Sequence, residues 1–249
     1  KISVSESRIL INGPTGSGKE LIARKIHKES KRQKDPFIIL NGALLDIEKY
    51  ELELFGEEKS NGSISYGALE KSTGGILLID EISEIPLETQ SKILRVLIDQ
   101  KFKRINGAHD INVNVRIICS SSKDIKKEIE NGNFREDLYH RLNVFEINIE
   151  PLKNRVSDIP LLVEYFSEKI STNYNLPKMN IDTNNNYLLN YDWPGNVREL
   201  RNLIERIAIL SPDSSDKISN IIKESLKTPD ITIETRENSL SVPLKEARE

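Results

Sequence analysis

The sequence predicts an α/β protein in which a parallel sheet lies between helices and a small all-helical unit follows. Over residues 1–150, short apolar runs alternate with amphipathic helical segments, the pattern of a parallel sheet that is covered on both faces. From residue 151 to about 227 the pattern is helical, with prolines as breaks. Residues 228–249 are polar and interrupted by proline, which indicates a linker.

The predicted elements follow one another in a regular order. The strands are "SRILING", "PFIILNGA", "GGILLIDE", "NVNVRIICSSS" and "NVFEINIEPL". The helix "KELIARKIHKES" follows the first strand and the helix "LETQSKILRVLIDQ" follows the third. Apolar residues at helical spacing are expected to face the core. They are Leu21, Ile22, Ile26, Ile93, Leu94, Leu97 and Ile98.

Composition excludes several classes of protein. The 249 residues are 37% hydrophobic and 30% charged, as in an ordinary globular chain. A net charge of −3 gives no overall attraction to nucleic acid or to an anionic membrane. The single cysteine, Cys119, excludes an internal disulfide and a cysteine-based zinc site. No apolar run reaches membrane-spanning length and no signal peptide opens the chain, so we expect a cytoplasmic location and no membrane partner.

The stretch "GPTGSGKE" follows a strand and opens a helix, which is the context of a phosphate-binding P-loop. Its glycines let backbone N–H groups turn toward phosphates, and its lysine reaches the terminal phosphates. The predicted nucleotide-binding residues are Gly13, Pro14, Thr15, Gly16, Ser17, Gly18, Lys19 and Glu20. Glu20 stands where a serine or threonine would bind Mg²⁺, and a carboxylate can hold that ion through water. The alternative, a glycine-rich turn without a ligand, leaves the coincidence of strand, lysine and helix unexplained.

The stretch "ILLIDE" delivers two acids to the end of a buried strand. Ligands bind at the carboxyl edge of the sheet in open α/β folds. Asp80 is therefore predicted to hold Mg²⁺, and Glu81 to activate the attacking water. Acids at strand ends also cap helices, but the P-loop upstream favours the functional interpretation.

The stretch "FREDLYHRL" carries Arg135 and Arg141, and two interpretations remain open. The residues alone favour exposed arginines paired with Glu136 and Asp137. The other interpretation is an arginine finger that reaches the ATP of a neighbouring subunit.

The stretch "WPGNVRELRN" begins with a turn and continues as a helix that projects Arg198 and Arg201. A cation there can fold back from the helical unit onto the nucleotide. The alternative is a stable turn whose arginines form surface ion pairs.

These stretches, with "ELFGEEK", "ILRVL" and "PLKNRVSDIP", occur in an order that resembles the central AAA+ ATPase domain of bacterial enhancer-binding proteins, the activators of sigma-54 RNA polymerase. The resemblance covers about residues 9–227. It implies an AAA+ P-loop NTPase fold over residues 1–150 and a helical lid subdomain over residues 151–227. It also implies ATP and Mg²⁺ as ligands and a homo-oligomer, either a ring or a dimer.

The resemblance assigns roles to particular residues. Lys19, Asp80 and Glu81 become the ATPase residues, and Glu20 fits because the family carries glutamate after the P-loop lysine. Asn41 matches the asparagine that restrains the catalytic glutamate, and Arg198 matches the sensor arginine of the lid. Arg135 and Arg141 match the finger region, so the resemblance favours the finger. Ser121 and Ser122 occupy the sensor position, usually Thr-Asn, and this departure predicts slow or poorly coupled hydrolysis.

A second departure lies in the segment from Phe55 to Gly75. The family carries a GAFTGA loop there, whose tip contacts sigma-54, whereas this chain reads "SNGSISYGALEKSTGG". Ile64 and Tyr66 are the sizeable apolar residues that remain, and packing inward is as consistent with the sequence as exposure. In lacking this signature, the chain resembles NtrX-like response regulators, which also lack the loop. We therefore expect that the sigma-54 contact is lost.

The resemblance implies a central segment of a two-component transcription regulator. Such a regulator has a receiver domain that meets a sensor histidine kinase and a C-terminal domain that binds DNA. Two alternatives stay open: a genuine sigma-54 activator with a variant loop, and a nucleotide-dependent assembly module with little hydrolysis.

Overall fold

A five-stranded parallel sheet forms the centre of the larger subdomain, as predicted. The structure is a computed structural model and describes residues 2–43, 47–177, 179–210 and 215–226. The predicted linker, 228–249, lies outside the described residues. No helix within these ranges is long and apolar enough to cross a membrane.

The described strands are β1 (Ile9–Asn12), β2 (Phe37–Asn41), β3 (Gly56–Glu58), β4 (Ile64–Tyr66), β5 (Ile76–Asp80), β6 (Lys101–Lys103), β7 (Asp110–Asn112), β8 (Arg116–Ser121) and β9 (Phe145–Asn148). The parallel sheet has the strand order β2-β5-β8-β1-β9. Strands β3 and β4 form one antiparallel hairpin, and β6 and β7 form another.

The described helices are α1 (Lys19–Lys28), α2 (Ile47–Phe55), α3 (Ala68–Lys71), α4 (Leu87–Asp99), α5 (Ile125–Glu130), α6 (Glu136–Leu142), α7 (Asp158–Tyr174), α8 (Asn186–Asn190), α9 (Asn196–Leu210) and α10 (Ser215–Ser225). Short 3₁₀ turns lie at Ile82–Glu84 and Leu152–Asn154.

The sheet has an apolar core on each face, because successive side chains of a strand point to opposite sides. Leu10 and Leu77 belong to the cluster that includes the buried face of α4. Ile9 and Ile11 belong to the opposite cluster, which includes Ile26 of α1. The two clusters confirm the predicted sheet with helices on both sides.

The helical subdomain has its own core, formed mainly by α7, α9 and α10. Trp193 is 1% exposed within it, and its indole N–H donates to the carbonyl of Leu188 at 2.9 Å. Leu152, at the start of this region, belongs to the same cluster.

Two residues that helical spacing assigns to the core are exposed. Leu21 is 71% exposed and Ile98 is 54% exposed, while Ile93 and Leu97 are buried as predicted. Periodicity locates an apolar face but not its margins, and Leu21 and Ile98 lie at such margins.

The segment around the missing GAFTGA signature is a hairpin, which the sequence analysis did not predict. The amide of Glu58 donates to the carbonyl of Ile105 at 3.0 Å, and the amide of Ile105 donates to the carbonyl of Gly56 at 2.9 Å. These bonds fasten the β3–β4 hairpin to the segment between β6 and β7. Ile64 and Tyr66 are 43% and 56% exposed, so inward packing is wrong for both.

Candidate nucleotide site

The site lies where the carboxyl ends of β1, β5 and β8 meet the helical subdomain. These three strands are neighbours in the parallel sheet, so the segments that follow them converge at one edge. A cavity of about 330 Å³ opens there between α1 and α9. It is lined by Thr15, Gly16, Ser17, Gly18, Lys19, Glu20, Leu21, Arg24, Asp80, Glu81, Phe166, Val197, Arg198 and Arg201.

The predicted P-loop has the backbone conformation that a phosphate cradle requires. Gly16 and Gly18 have φ angles of 77° and 105°, which favour glycine, and α1 begins at Lys19. The N–H groups of the first helical turn have no partner within the helix and attract anions. The Ser17 hydroxyl is buried with no hydrogen-bond partner among the described residues. The loop therefore fits a chain of phosphates.

Lys19 and Glu81 form an ion pair at the base of the loop. The Lys19 Nζ lies 3.0 Å from Glu81 Oε1 and donates to the Gly13 carbonyl at 2.9 Å. Lys19 is only 6% exposed, so this pair is shielded from solvent. A phosphate that binds Lys19 must compete with the Glu81 carboxylate for the same ammonium group.

The other oxygen of Glu81 is held by Ser122. Oε2 accepts the Ser122 amide N–H at 2.8 Å and the Ser122 hydroxyl at 2.7 Å. Burial raises the pKa of Glu81, but the Ser122 hydrogen bonds and the Lys19 charge outweigh burial and leave the pKa below its ordinary value. Glu81 is therefore ionised at neutral pH, as a general base must be.

Asp80 is held by two other side chains. Its Oδ1 accepts the Ser120 hydroxyl, and its Oδ2 accepts the Asn41 amide at 3.3 Å. Asn41 was expected to restrain Glu81, whereas its side-chain amide donates to Asp80. No cluster of three potential metal-ligating side chains (His, Cys, Asp or Glu) occurs in the described ranges. Since Mg²⁺ is usually bound by one or two carboxylates plus phosphates and water, Asp80 fits that mode.

The helical subdomain donates hydrogen bonds to three consecutive carbonyls of the P-loop. Asn196 Nδ2 donates to the Thr15 carbonyl at 3.0 Å, and Arg155 Nη2 donates to the Ser17 carbonyl at 2.9 Å. Between them, the Arg198 amide donates to the Gly16 carbonyl at 3.3 Å. The position of the lid is thereby tied to the loop that faces the phosphates.

Asn196 is the centre of this junction. It is 3% exposed and has a φ of 53°, a left-handed conformation that asparagine tolerates better than most residues. Its Oδ1 accepts the Leu152 amide at 2.8 Å, while Nδ2 reaches the P-loop. One buried side chain thus joins the start of the lid, the α9 turn and the P-loop.

Arg198 and Arg201 line the cavity opposite the P-loop. Both side chains are exposed, and neither forms an ion pair with another described residue. The two guanidinium groups are placed to add positive potential for a phosphate chain.

The other predicted residues lie outside this cavity or are paired elsewhere. Glu20 pairs with Arg24 at 2.7 Å on α1. Arg135 caps α6 and pairs with Asp137 at 2.7 Å, as the surface interpretation expects within one subunit. Arg141 lies in the last turn of α6, away from the subunit's own cavity.

Ser121 differs from its expected place. It is fully buried, its hydroxyl donates to the Lys123 carbonyl at 2.8 Å, and its Oγ lies 3.0 Å from Ser83 Oγ. Of the two serines, Ser122 is the one that contacts a cavity residue, through its hydrogen bonds to Glu81.

Several site residues escaped the sequence analysis. The cavity wall includes Leu21, Arg24, Phe166 and Val197, and Arg155 supports the P-loop. Arg155 in "PLKNRVSDIP" and Asn196, the first residue of α9, were both visible in the quoted stretches. Nothing in their spacing indicates which backbone carbonyl they reach.

The chain matches two families along its length. Residues 1–148 match the sigma-54 interaction domain, and residues 153–237 match an AAA+ ATPase lid domain. It is similar to the nitrogen assimilation regulatory protein NtrX of Azorhizobium caulinodans, with 43% identity over 100% of this chain and 56% of that protein. The chain spans about half the length of the curated relatives it matches.

Solved structures agree with the sequence relatives. The crystal structure of NtrX from Brucella abortus in complex with ATP has a TM-score of 0.83 and 41% identity, over 90% of this chain and 53% of that one. The same protein in complex with ADP has a TM-score of 0.83 and 40% identity, over 92% and 53%. With more than half of its residues matched, the chain belongs to the sigma-54 interaction domain family and has an AAA+ P-loop NTPase fold completed by a helical lid.

Proposed function

We propose that this chain binds ATP with Mg²⁺ and hydrolyses it to ADP and phosphate. The observation that carries the proposal is the convergence of the P-loop, Lys19, Asp80 and Glu81 on one cavity beneath the lid. The complexes of the Brucella abortus NtrX with ATP and ADP support it, because that chain shares the fold at 41% identity.

Each residue has a task that follows from its place. The P-loop and Lys19 bind the phosphates, and Arg198 with Arg201 adds charge from the lid. Asp80 holds Mg²⁺, which neutralises charge on the phosphate oxygens when bound. Glu81 accepts a proton from the attacking water, because its carboxylate is ionised and lies at the base of the cavity.

We further propose that the chain acts as a homo-oligomer. Arg135 and Arg141 lie on α6, away from the subunit's own cavity, so either arginine acts on the nucleotide of a neighbouring copy. The bond between Arg135 and Asp137 is exposed, and solvent screening makes such pairs weak. A phosphate chain can therefore compete for Arg135 without a large penalty.

The likeness to NtrX proteins supports a wider context. We propose that the chain is the central part of a cytoplasmic two-component regulator of transcription. A receiver domain would meet a sensor histidine kinase, and a further domain would bind DNA.

We propose that the β3–β4 hairpin does not engage sigma-54. Its tip reads "KSNGS", with no large apolar residue, and main-chain bonds fasten its first strand, β3, to Ile105. Specific contacts usually depend on a few buried anchor residues, and an aromatic one is typical. One observation favours the alternative of a variant activator: Tyr66 is 56% exposed, although the Arg104 guanidinium lies 5.6 Å from its ring centre.

Steady-state ATP turnover tests the enzymatic proposal. We expect measurable turnover by the wild-type chain and a loss of about a hundredfold or more in Glu81→Gln, which keeps the shape but not the base. Glu81→Gln should still bind ATP. Turnover by Glu81→Gln at the wild-type rate would show that Glu81 is not the base, and a wild-type chain that binds ATP without turnover would favour the assembly module.

A binding assay with purified sigma-54 separates the two loop interpretations. The chain is incubated with sigma-54 and an ADP–metal-fluoride mimic of the transition state, and complexes are followed by light scattering. We expect no complex. A stable complex that requires the mimic, and that Tyr66→Ala abolishes, would establish the variant activator.

A further inference from the structure

We propose that Ser122, and not Asn41, is the residue that positions the Glu81 carboxylate for hydrolysis. The inference rests on the proposed ATPase function and specifies how its base is oriented. Ser122 is a positioning residue, since it lies behind Glu81 and acts through it.

The first support is the double hydrogen bond. The Ser122 amide and hydroxyl both donate to the same oxygen, Glu81 Oε2, at 2.8 Å and 2.7 Å. Two donors to one oxygen fix both the position and the rotation of a carboxylate better than one donor does. A serine here therefore provides two donors by combining its main chain with its side chain.

The second support is the position of Asn41. Its amide nitrogen donates to Asp80 Oδ2 at 3.3 Å, and its amide oxygen accepts the Ala43 amide at 2.9 Å. Both ends of the side chain are therefore engaged away from Glu81. In this arrangement Asn41 orients the carboxylate assigned to Mg²⁺.

The third support is that the two carboxylate oxygens of Glu81 have different partners. Oε1 meets Lys19 at 3.0 Å, whereas Ser122 is the partner of Oε2 among the described residues. When phosphates draw Lys19 away, Oε1 loses its partner and becomes free to accept a proton from water. Ser122 holds Oε2 while Lys19 moves from Glu81 to the phosphates. The Glu81 carboxylate therefore keeps its orientation.

The backbone adds a reason why such an anchor is needed. Glu81 has φ and ψ angles of 55° and 53°, a left-handed conformation that is unfavourable for a residue with a side chain. The Ser122 bonds connect this strained residue to the end of the neighbouring strand, β8. Without them, Lys19 is the one remaining partner of the carboxylate in the described part of the chain.

A nuclear magnetic resonance measurement tests the hydrogen bond without relying on activity. An amide proton bonded to a carboxylate resonates downfield, so we expect the Ser122 amide proton downfield in the wild-type chain and shifted upfield in Glu81→Ala. The downfield position should persist when ADP is added. If the chemical shift of the Ser122 amide proton is the same in Glu81→Ala as in wild type, the proposal is wrong, whether or not the chain hydrolyses ATP.

Kinetics of three variants test the positioning role. Ser122→Ala keeps the amide donor but loses the hydroxyl, so we expect kcat to fall about tenfold with KM and ADP affinity within about twofold of wild type. Ser122→Thr keeps the hydroxyl and should restore most of kcat. Ser63→Ala, a matched change at the exposed hairpin tip, should have no effect.

Asn41→Ala distinguishes the two candidate restraints. We expect it to raise the Mg²⁺ concentration needed for half-maximal turnover, while Ser122→Ala leaves that concentration unchanged. If Ser122→Ala turns over like wild type while Asn41→Ala lowers kcat at every Mg²⁺ concentration, Asn41 restrains Glu81 and the proposal is wrong. A wild-type chain without turnover would instead refute the proposed ATPase function.

Discussion

Replacing Asn196 with alanine should uncouple the lid from the P-loop. The side chain accepts the Leu152 amide at 2.8 Å and donates to the Thr15 carbonyl at 3.0 Å. Alanine removes both bonds and leaves the buried Leu152 amide without a partner, whereas the Thr15 carbonyl lines the open cavity and can bind water instead. It also keeps a Cβ at a φ of 53°, where asparagine is better tolerated.

The magnitude follows from the unpaired amide and from the backbone conformation. An unpaired buried polar group costs about 1–3 kcal/mol, and the left-handed conformation adds about 1 kcal/mol for alanine. We expect Asn196→Ala to lower the free energy of unfolding by about 3 kcal/mol. Asn196→Gly loses the same bonds but tolerates the backbone angle, so it should be about 1 kcal/mol more stable than the alanine variant.

Urea denaturation at 25 °C, followed by circular dichroism, gives both differences. Fluorescent ATP binding to the same variants reports whether the loop is disturbed, and we expect weaker binding in both. A loss below about 1 kcal/mol in Asn196→Ala would refute the reasoning, because an unpaired buried amide and a left-handed alanine together should cost more than that. So would a glycine variant that is less stable than the alanine variant.

Three further outcomes are expected. Mixing Arg135→Ala with Lys19→Ala subunits should give more turnover than the sum of the separate variants, because each supplies what the other lacks; simple additivity would leave Arg135 as a surface ion pair. Gly16→Ala should lower the thermal midpoint more than Gly18→Ala, because a Cβ at Gly16 overlaps the Gly195 carbonyl oxygen while one at Gly18 meets nothing within 4 Å; equal midpoints would contradict the close contact. Burial raises the pKa of the Cys119 thiol, so iodoacetamide at pH 8 should modify it only after unfolding, and rapid labelling of the folded chain would show that the core opens.

The central sheet was predictable because its strands are short apolar runs that end in recognisable sequences. "ILLIDE" combines both features, and β5 (Ile76–Asp80) is fully buried apart from its last residue. The edge strand β9 was harder to judge, since Phe145 is apolar yet 40% exposed where the sheet ends. The β3–β4 and β6–β7 hairpins were missed because three-residue strands carry too little periodicity to detect.

The residues proposed to bind phosphate and Mg²⁺ could be located from sequence motifs, whereas the residues that position them could not. Lys19 and Asp80 lie in motifs whose spacing is set by the ligand itself. The partners of Ser122 and Asn196 depend on the positions that β8 and α9 take in the folded structure. Such contacts join residues 41 and 181 positions apart, and no local pattern records them.

Equilibrium titration with Mg-ATP tests the central claim most directly. Calorimetry on the wild-type chain should show one site per chain, and Lys19→Ala should bind at least about tenfold more weakly, because it removes the charge at the base of the P-loop. The titration with ADP should show the same site, with a smaller difference in affinity between wild type and Lys19→Ala. A wild-type chain that releases no heat with either nucleotide, or a Lys19→Ala variant that binds ATP as tightly as wild type, would contradict the account.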